Sequence, residues 1–219
     1  MKIRTIDQLL ERVDRDRIWR IREIVALTRQ CELRDLQPHV RMALRKSFLA
    51  MLYAHWEGFV KNTADNYLEF VAMQGLSMGE LESCFLSLYF KNSFDLSSLS
   101  KKNSALKIMC ERMIVERASV IRIEHKNVIN THSNLNFEVL EEITSCLGLD
   151  ISAYEARRKF IDGKLVARRN KIAHGNHDEI DDEEMNELRQ TVVDLMDTFK
   201  TQIENAAAQK AYRRSTIAA

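Results

Sequence analysis

The segment 166–175 reads Val-Ala-Arg-Arg-Asn-Lys-Ile-Ala-His-Gly, and it places Arg169, Asn170 and His174 within six residues. Histidine titrates near neutrality and can take or give a proton. Arginine stays charged and can hold two phosphate oxygens at once. Cleavage of RNA without a metal needs a base for the 2′-OH, a cation for the phosphorane and an acid for the 5′-oxygen. The segment is therefore a candidate site for that chemistry.

The spacing of these residues decides whether one helix can bring them together. Asn170 and His174 are four apart, so on a helix they stand about 40° from each other. Arg169 and His174 are five apart, about 140° around the axis. We expect the arginine to reach the histidine only if its long side chain bends, if the helix unwinds near Gly175, or if a second copy faces it across a two-fold axis.

Local charge favours a polyanionic ligand at this segment, although the whole chain has a net charge of only +1. Between Tyr154 and His174 lie seven basic residues and two acidic ones, which suits an RNA backbone. The segment 178–187 then carries seven acids and no base. The candidate substrate-binding residues are Arg168, Lys171 and Lys164.

Plainer interpretations stand beside this one. An arginine and a histidine near the end of a helix can simply satisfy its dipole and its last carbonyls. The acidic run is typical of a solvated helix start. Glu57 could support a basic residue of the motif, although a solvated position is the simpler interpretation, and His177 could contribute to the groove. Trp56 and Phe59 are expected in the core.

The elements that must position the motif are predicted to be helices. One proline and six glycines among 219 residues are very few, and long helices exclude both residues from their interiors. The fold class is therefore all-α, a bundle of four to five main helices with short extra ones. Apolar periodicity and capping signals predict helices over about 5–33, 38–74, 78–90, 105–124, 137–147, 154–174 and 181–208.

The remaining segments complete a single predicted domain over 1–219. Residues 1–34 form an N-terminal helix, 38–205 the core, 91–136 include an insertion with a Ser-rich loop and a loop or hairpin, and 209–219 a frayed tail. The four cysteines have no CxxC spacing, so we expect reduced thiols and no zinc. The chain shows no signal peptide and no membrane-length apolar run, which predicts a cytoplasmic protein without a membrane partner.

Two segments resemble the HEPN superfamily (higher eukaryotes and prokaryotes nucleotide-binding). Residues 168–175 are similar to its Arg-x4-His motif with a following glycine. Residues 52–61, Leu-Tyr-Ala-His-Trp-Glu-Gly-Phe-Val-Lys, look like the second-helix segment of a prokaryotic subgroup found in toxin–antitoxin and anti-phage loci. The resemblance covers most of the chain, from about 38 to 205.

The resemblance implies an up-and-down bundle that dimerises with its two motif helices facing each other. Active members are metal-independent endoribonucleases that need no cofactor and leave a 2′,3′-cyclic phosphate. Arg169 and His174 then take the catalytic places, and Asn170 takes the polar place beside the arginine. RNA and a second copy are the expected partners, with a cognate antitoxin or regulatory protein in addition. The alternative is a non-catalytic HEPN module that binds a partner protein or nucleotide.

Overall fold

The first helix begins where the sequence predicts. In the computed structural model, which describes residues 2–91, 103–126 and 128–214, α1 spans Ile6–Cys31. Thr5 caps it, and Gln8 returns the bond to form the capping box. Leu9 and Val13 are fully buried. Apolar periodicity and a cap are thus sufficient to define this element.

The central helix of the bundle is α2, which spans Pro38–Ala72. Pro38 occupies its first turn, where a missing N–H is harmless. Gly75, just beyond the end, adopts a left-handed φ of +63°. Its 35 residues correspond to about 52 Å. Trp56 and Phe59 have no exposed surface, which confirms their prediction as core residues.

The last long helix, here named α8, spans Asp182–Ala208 and packs against both α1 and α2. Asp181 caps it by accepting the backbone N–H of Glu184. The ion pair between Arg45 and Asp182 joins the N-terminal part of α2 to the first turn of α8. Arg45 also donates to the Ile180 carbonyl at 2.8 Å. The three long helices α1, α2 and α8 therefore form one packed unit.

The segment between Gly75 and the motif differs from the prediction in detail. A 3₁₀ turn over Met78–Glu80 precedes α3 over Ser83–Lys91, where one helix over 78–90 was expected. The next helix, α4, spans Asn103–Val115 and ends nine residues early. Helix α4 ends early because the chain after it is extended and pairs with the segment after α2, where Val120 forms a β-bridge with Ser77. Most of the predicted Ser-rich loop lies outside the described residues.

Helix α5 spans Phe137–Leu147 and ends at the left-handed Gly148, as predicted. The helix expected over 154–174 is interrupted by a turn at 156–157 and contains a π-helix, although residues 158–173 are helical throughout. The structure has α6 over Ser152–Glu155, a turn, a π-helix over Phe160–Val166 and α7 over Ala167–Ala173. Two local features accompany the wider π-turn: Gly163 supplies no side chain for packing, and the Asp162 carboxylate accepts the Phe137 N–H at 2.7 Å.

Residues 209–214 pack against the bundle, in contrast to the frayed tail expected there. Tyr212 is buried, and its ring lies 5.6 Å from that of Phe70. Arg213 pairs with Leu81 in an isolated β-bridge. Residues 215–219 lie outside the described part of the chain. Across the described ranges the protein is an all-α bundle without a β-strand, and no helix there combines the length and apolarity of a membrane span.

Candidate active site

The motif helix α7 ends inside the motif itself. Its last residue is Ala173, and His174 is the C-cap, with its backbone N–H donating to the Asn170 carbonyl at 3.0 Å. Gly175 follows with a left-handed φ of +74°, which is the usual glycine-terminated helix end. His174 is therefore exposed at the tip of the helix rather than on its side.

Arg169 is fixed by contacts on two sides. Its guanidinium carbon lies 4.0 Å from the centre of the Tyr53 ring, and Nη2 donates to the Ser133 carbonyl at 2.6 Å. Its Nε is buried without a hydrogen-bond partner. No carboxylate pairs with Arg169 within the described residues. The structure thus presents an oriented cation whose charge is not neutralised by an acidic side chain.

Asn170 contacts the same loop as Arg169. Its amide nitrogen donates to the Asn134 side-chain oxygen at 3.2 Å. Ser133 and Asn134 belong to the segment 131–137, which we name the site loop. It joins the irregular region after α4 to the start of α5. The site loop and the motif helix therefore form one surface.

The site loop has a constrained backbone. His132 and Ser133 have φ values of +51° and +52°, a left-handed conformation that costs a residue other than glycine about 1 kcal/mol or more. The Leu135 N–H donates to the Tyr53 hydroxyl at 2.6 Å, and Asn134 donates to the Thr131 carbonyl at 2.9 Å. These bonds offset the backbone cost and place the Ser133 carbonyl against Arg169.

Tyr53 connects the central helix to the motif, and the sequence did not mark it as a site residue. The pKa of Tyr53 is raised above its ordinary value, mainly because the phenol is buried, and the Glu57 carboxylate raises it further. The Leu135 N–H and Arg169 lower it by less. The phenol therefore stays neutral at physiological pH. Glu57 is half-buried, with one carboxylate oxygen that is buried and unpartnered, so it is not on the solvated face that periodicity favoured.

Two of the candidate substrate-binding cations are paired with acids. The Arg168 Nε donates to Asp178 at 2.7 Å, Nη2 donates to the Glu179 carbonyl at 2.5 Å, and Glu184 forms a further ion pair. Lys164 bonds both oxygens of Glu187, at 2.8 and 2.6 Å. The acidic run 178–187 thus neutralises one side of the basic segment, a pairing that the sequence interpretation did not include.

The third of these cations, Lys171, and the supporting candidate His177 are exposed. Lys171 lies on α7 without an ion pair in the described ranges. His177 lies past the helix end, with its Nε2 3.9 Å from a Glu179 oxygen. The structure therefore brings Arg169 and Asn170 together at the site loop. No side-chain hydrogen bond joins either of them to His174 within the described residues, which agrees with the helical angles.

Comparison with known proteins identifies the family. The RiboL-PSP-HEPN family model matches residues 15–205, which is most of the chain. The chain belongs to this HEPN family. No curated protein and no solved structure gives a significant match. The matched range of this HEPN protein includes Tyr53, the site loop and the whole motif, so the contacts of the candidate site fall within the family domain.

Proposed function

We propose that this HEPN protein is a metal-independent endoribonuclease whose active site is shared by two copies of the chain. The observation that carries the proposal is the contrast between neighbouring arginines. Arg168 is neutralised by two carboxylates, whereas Arg169 is oriented by Tyr53 and Ser133 with no paired acid in the described residues. An oriented, uncompensated cation beside an exposed histidine suits a phosphate that gains charge in the transition state.

The proposed reaction uses the 2′-oxygen of the substrate as the nucleophile. One imidazole takes the 2′-OH proton while the 2′-oxygen bonds to phosphorus. Arg169 stabilises the equatorial oxygens of the phosphorane. The bond from phosphorus to the 5′-oxygen breaks, and a second, protonated imidazole gives its proton to that oxygen. The products are a 2′,3′-cyclic phosphate and a free 5′-hydroxyl.

The need for two imidazoles supports a dimer. One chain supplies His174 at the tip of α7, and no side-chain bond links it to Arg169 or Asn170 in the described residues. A second copy facing the motif helix would add a second His174 and a second Arg169. In this arrangement one histidine acts as base and the other as acid, and Lys171, exposed on α7, contacts the flanking phosphate backbone.

Cleavage of RNA in excess EDTA tests the activity. Wild-type protein should cut, while Arg169→Gln and His174→Ala should lose about 10²-fold or more in rate. His39→Ala, at an exposed position in the first turn of α2, is the matched histidine control and should retain the rate. Equal cleavage by His174→Ala would contradict the assignment. Absence of cleavage by the wild type would favour a non-catalytic module that binds a partner or nucleotide.

Subunit mixing tests the shared site. Inactive His174→Ala chains added in excess should lower the rate of wild-type chains after exchange, because mixed dimers contain only one of the two imidazoles. A wild-type rate unaffected by the mutant chains would show that each copy acts alone.

We further propose that the enzyme acts in the cytoplasm as a toxin or defence effector and is restrained by a cognate antitoxin or regulatory protein. Expression of the wild type should then arrest growth, and the arrest should require both Arg169 and His174. Growth arrest by a variant that lacks both Arg169 and His174 would show that the biological effect does not depend on catalysis.

A further inference from the structure

A second group of cations lies apart from Arg169 on the same segment of chain. Arg157, Arg158 and Lys159 precede the π-helix, and all three are exposed. None of them forms an ion pair within the described residues, in contrast to Arg168 and Lys164. We name these residues the basic triplet.

The site loop links the basic triplet to the motif. At one end, the Ser133 carbonyl accepts the Arg169 guanidinium at 2.6 Å. At the other end, the Arg158 guanidinium carbon lies 4.7 Å from the centre of the Phe137 ring. Between these contacts, the Phe137 N–H donates to Asp162 of the π-helix at 2.7 Å. The site loop therefore runs alongside the segment 158–170, with a free cation near each end.

The separation of the two cations fits several nucleotides. Arg158 and Arg169 are eleven positions apart, which corresponds to at most about 16 Å at the α-helical rise, because the π-helix between them rises less per residue. The four steps from Ser133 to Phe137 span at most about 14 Å. Stacked nucleotides in one strand advance by about 3.4 Å each. The distance therefore corresponds to about four or five stacked nucleotides.

The Arg158 contact also favours a nucleic-acid strand as the occupant. Phe137 is buried, so its ring supports one face of the guanidinium while Arg158 as a whole remains exposed. An arginine plane fixed in this way can bond a phosphate or stack against a base. Asn134, at the centre of the site loop, is half-buried and adds amide groups between the two cations.

We propose that the basic triplet is a second binding site for the single RNA strand that is cut at Arg169, and that the intervening nucleotides lie along the site loop. The proposal rests on the proposed function, because it takes the motif as the place of cleavage. The substrate class is accordingly a single-stranded RNA long enough to contact both sites.

Binding measurements test the second site separately from catalysis. In the His174→Ala chain, the affinity for a fluorescent 12-nucleotide single-stranded RNA is measured at several salt concentrations. Adding Arg158→Gln and Lys159→Gln should raise Kd about tenfold or more at low salt. The slope of log K against log salt should fall in magnitude by about 1.4, which is two phosphate contacts at 0.7 each.

The matched control removes two exposed cations from α1, Arg22→Gln and Arg29→Gln. Helix α1 contacts α2 through His55, whose ring lies 5.4 Å from that of Trp19. His55 stands about 200° around α2 from Tyr53, so this control loses the same charge on another side of the bundle. Its Kd and salt slope should stay close to those of the parent chain.

Several outcomes would overturn the proposal. These are an unchanged Kd and slope in the triplet variant, an equal loss in the α1 control, or no measurable binding by the parent. Polyglutamate serves as a probe for an acidic protein partner. If the triplet variant binds polyglutamate more weakly but RNA equally well, the basic triplet binds an acidic protein instead. Failure of the proposed function gives a different result from failure of this proposal. Wild-type protein that binds RNA through the basic triplet but never cuts it would contradict the ribonuclease assignment and leave the second binding site in place.

Discussion

Replacing Arg168 and Arg169 separately by glutamine should separate stability from catalysis. The two residues are neighbours, and each substitution removes one positive charge from the same short helix. A difference in stability or rate between the two variants therefore comes from the contacts of each side chain, because both variants change the net charge of the protein equally.

The contacts of Arg168 predict a large loss of stability. Its side chain is 11% exposed, and those of Asp178 and Glu184 are 13% and 28% exposed. Removing one partner of a buried ion pair costs about 3–5 kcal/mol, and the partial exposure of Glu184 points to the lower end. A loss of about 3 kcal/mol corresponds to a Tm lower by about 6–12 °C for a chain of this size. The cleavage rate below the transition should change little.

The contacts of Arg169 predict the opposite result. The substitution loses a cation–π contact and one hydrogen bond, and it relieves the unpartnered Nε, so we expect a stability change of about 1 kcal/mol. Loss of the cation at the phosphorane should lower the rate by about 10²–10³-fold. Circular dichroism during heating and initial rates at 25 °C measure both quantities. A folded Arg168→Gln without activity, together with an active Arg169→Gln, would refute these roles.

Three further predictions concern the support of the site and the bundle. Tyr53→Phe keeps the ring under Arg169 but removes the acceptor of the Leu135 N–H, whereas Tyr53→Leu removes both contacts and should lower kcat further, more than it raises KM; wild-type rates for both variants would exclude Tyr53 as a positioning residue. Burial raises the pKa of Asp65 from 3.8 to about 6, so its ionisation opposes folding and stability should fall as pH rises from about 4 to about 6. Asp65→Asn should therefore stabilise the protein by about 1–2 kcal/mol at pH 7, after allowance for its half-exposed position, and by almost nothing at pH 4. Urea titrations at both pH values measure these gains, and a gain at pH 4 equal to that at pH 7 would show that ionisation of Asp65 is not the cause. Gly58→Ala should cost about 1–3 kcal/mol, because the added Cβ would lie 2.7 Å from Nη1 of Arg20, which the Asp16 carboxylate and the His55 carbonyl hold in place. The added Cβ of the control Gly163→Ala meets nothing within 4 Å, so this variant should not lower Tm; similar Tm values for the two variants would be inconsistent with this packing.

Features encoded locally could be predicted from the sequence. The Thr5 capping box, Pro38 in a first helical turn, and the glycines at 148 and 175 all occur where their local chemistry places them. The angle between Arg169 and His174 also follows from helix geometry alone. These features need no knowledge of distant parts of the chain.

Features set by distant contacts could not be predicted in this way. Tyr53 lies 116 positions before Arg169, and its role depends on how α2 packs against the motif. The π-helix accompanies the bond from Phe137 to Asp162, which joins residues 25 apart. The neutralisation of Arg168 requires the acidic run to fold back on the basic one. Sequence periodicity carries no direct signal for any of these three contacts.

A substrate with one 2′-deoxynucleotide tests the central claim most directly. An RNA with a single mapped cleavage site is compared with the same RNA carrying 2′-deoxyribose immediately 5′ to that site, both in excess EDTA. If the 2′-oxygen is the nucleophile, the unmodified RNA is cut to a 2′,3′-cyclic phosphate and the modified bond stays intact. Cleavage of both substrates at the same bond and rate would contradict the mechanism assigned to Arg169 and His174.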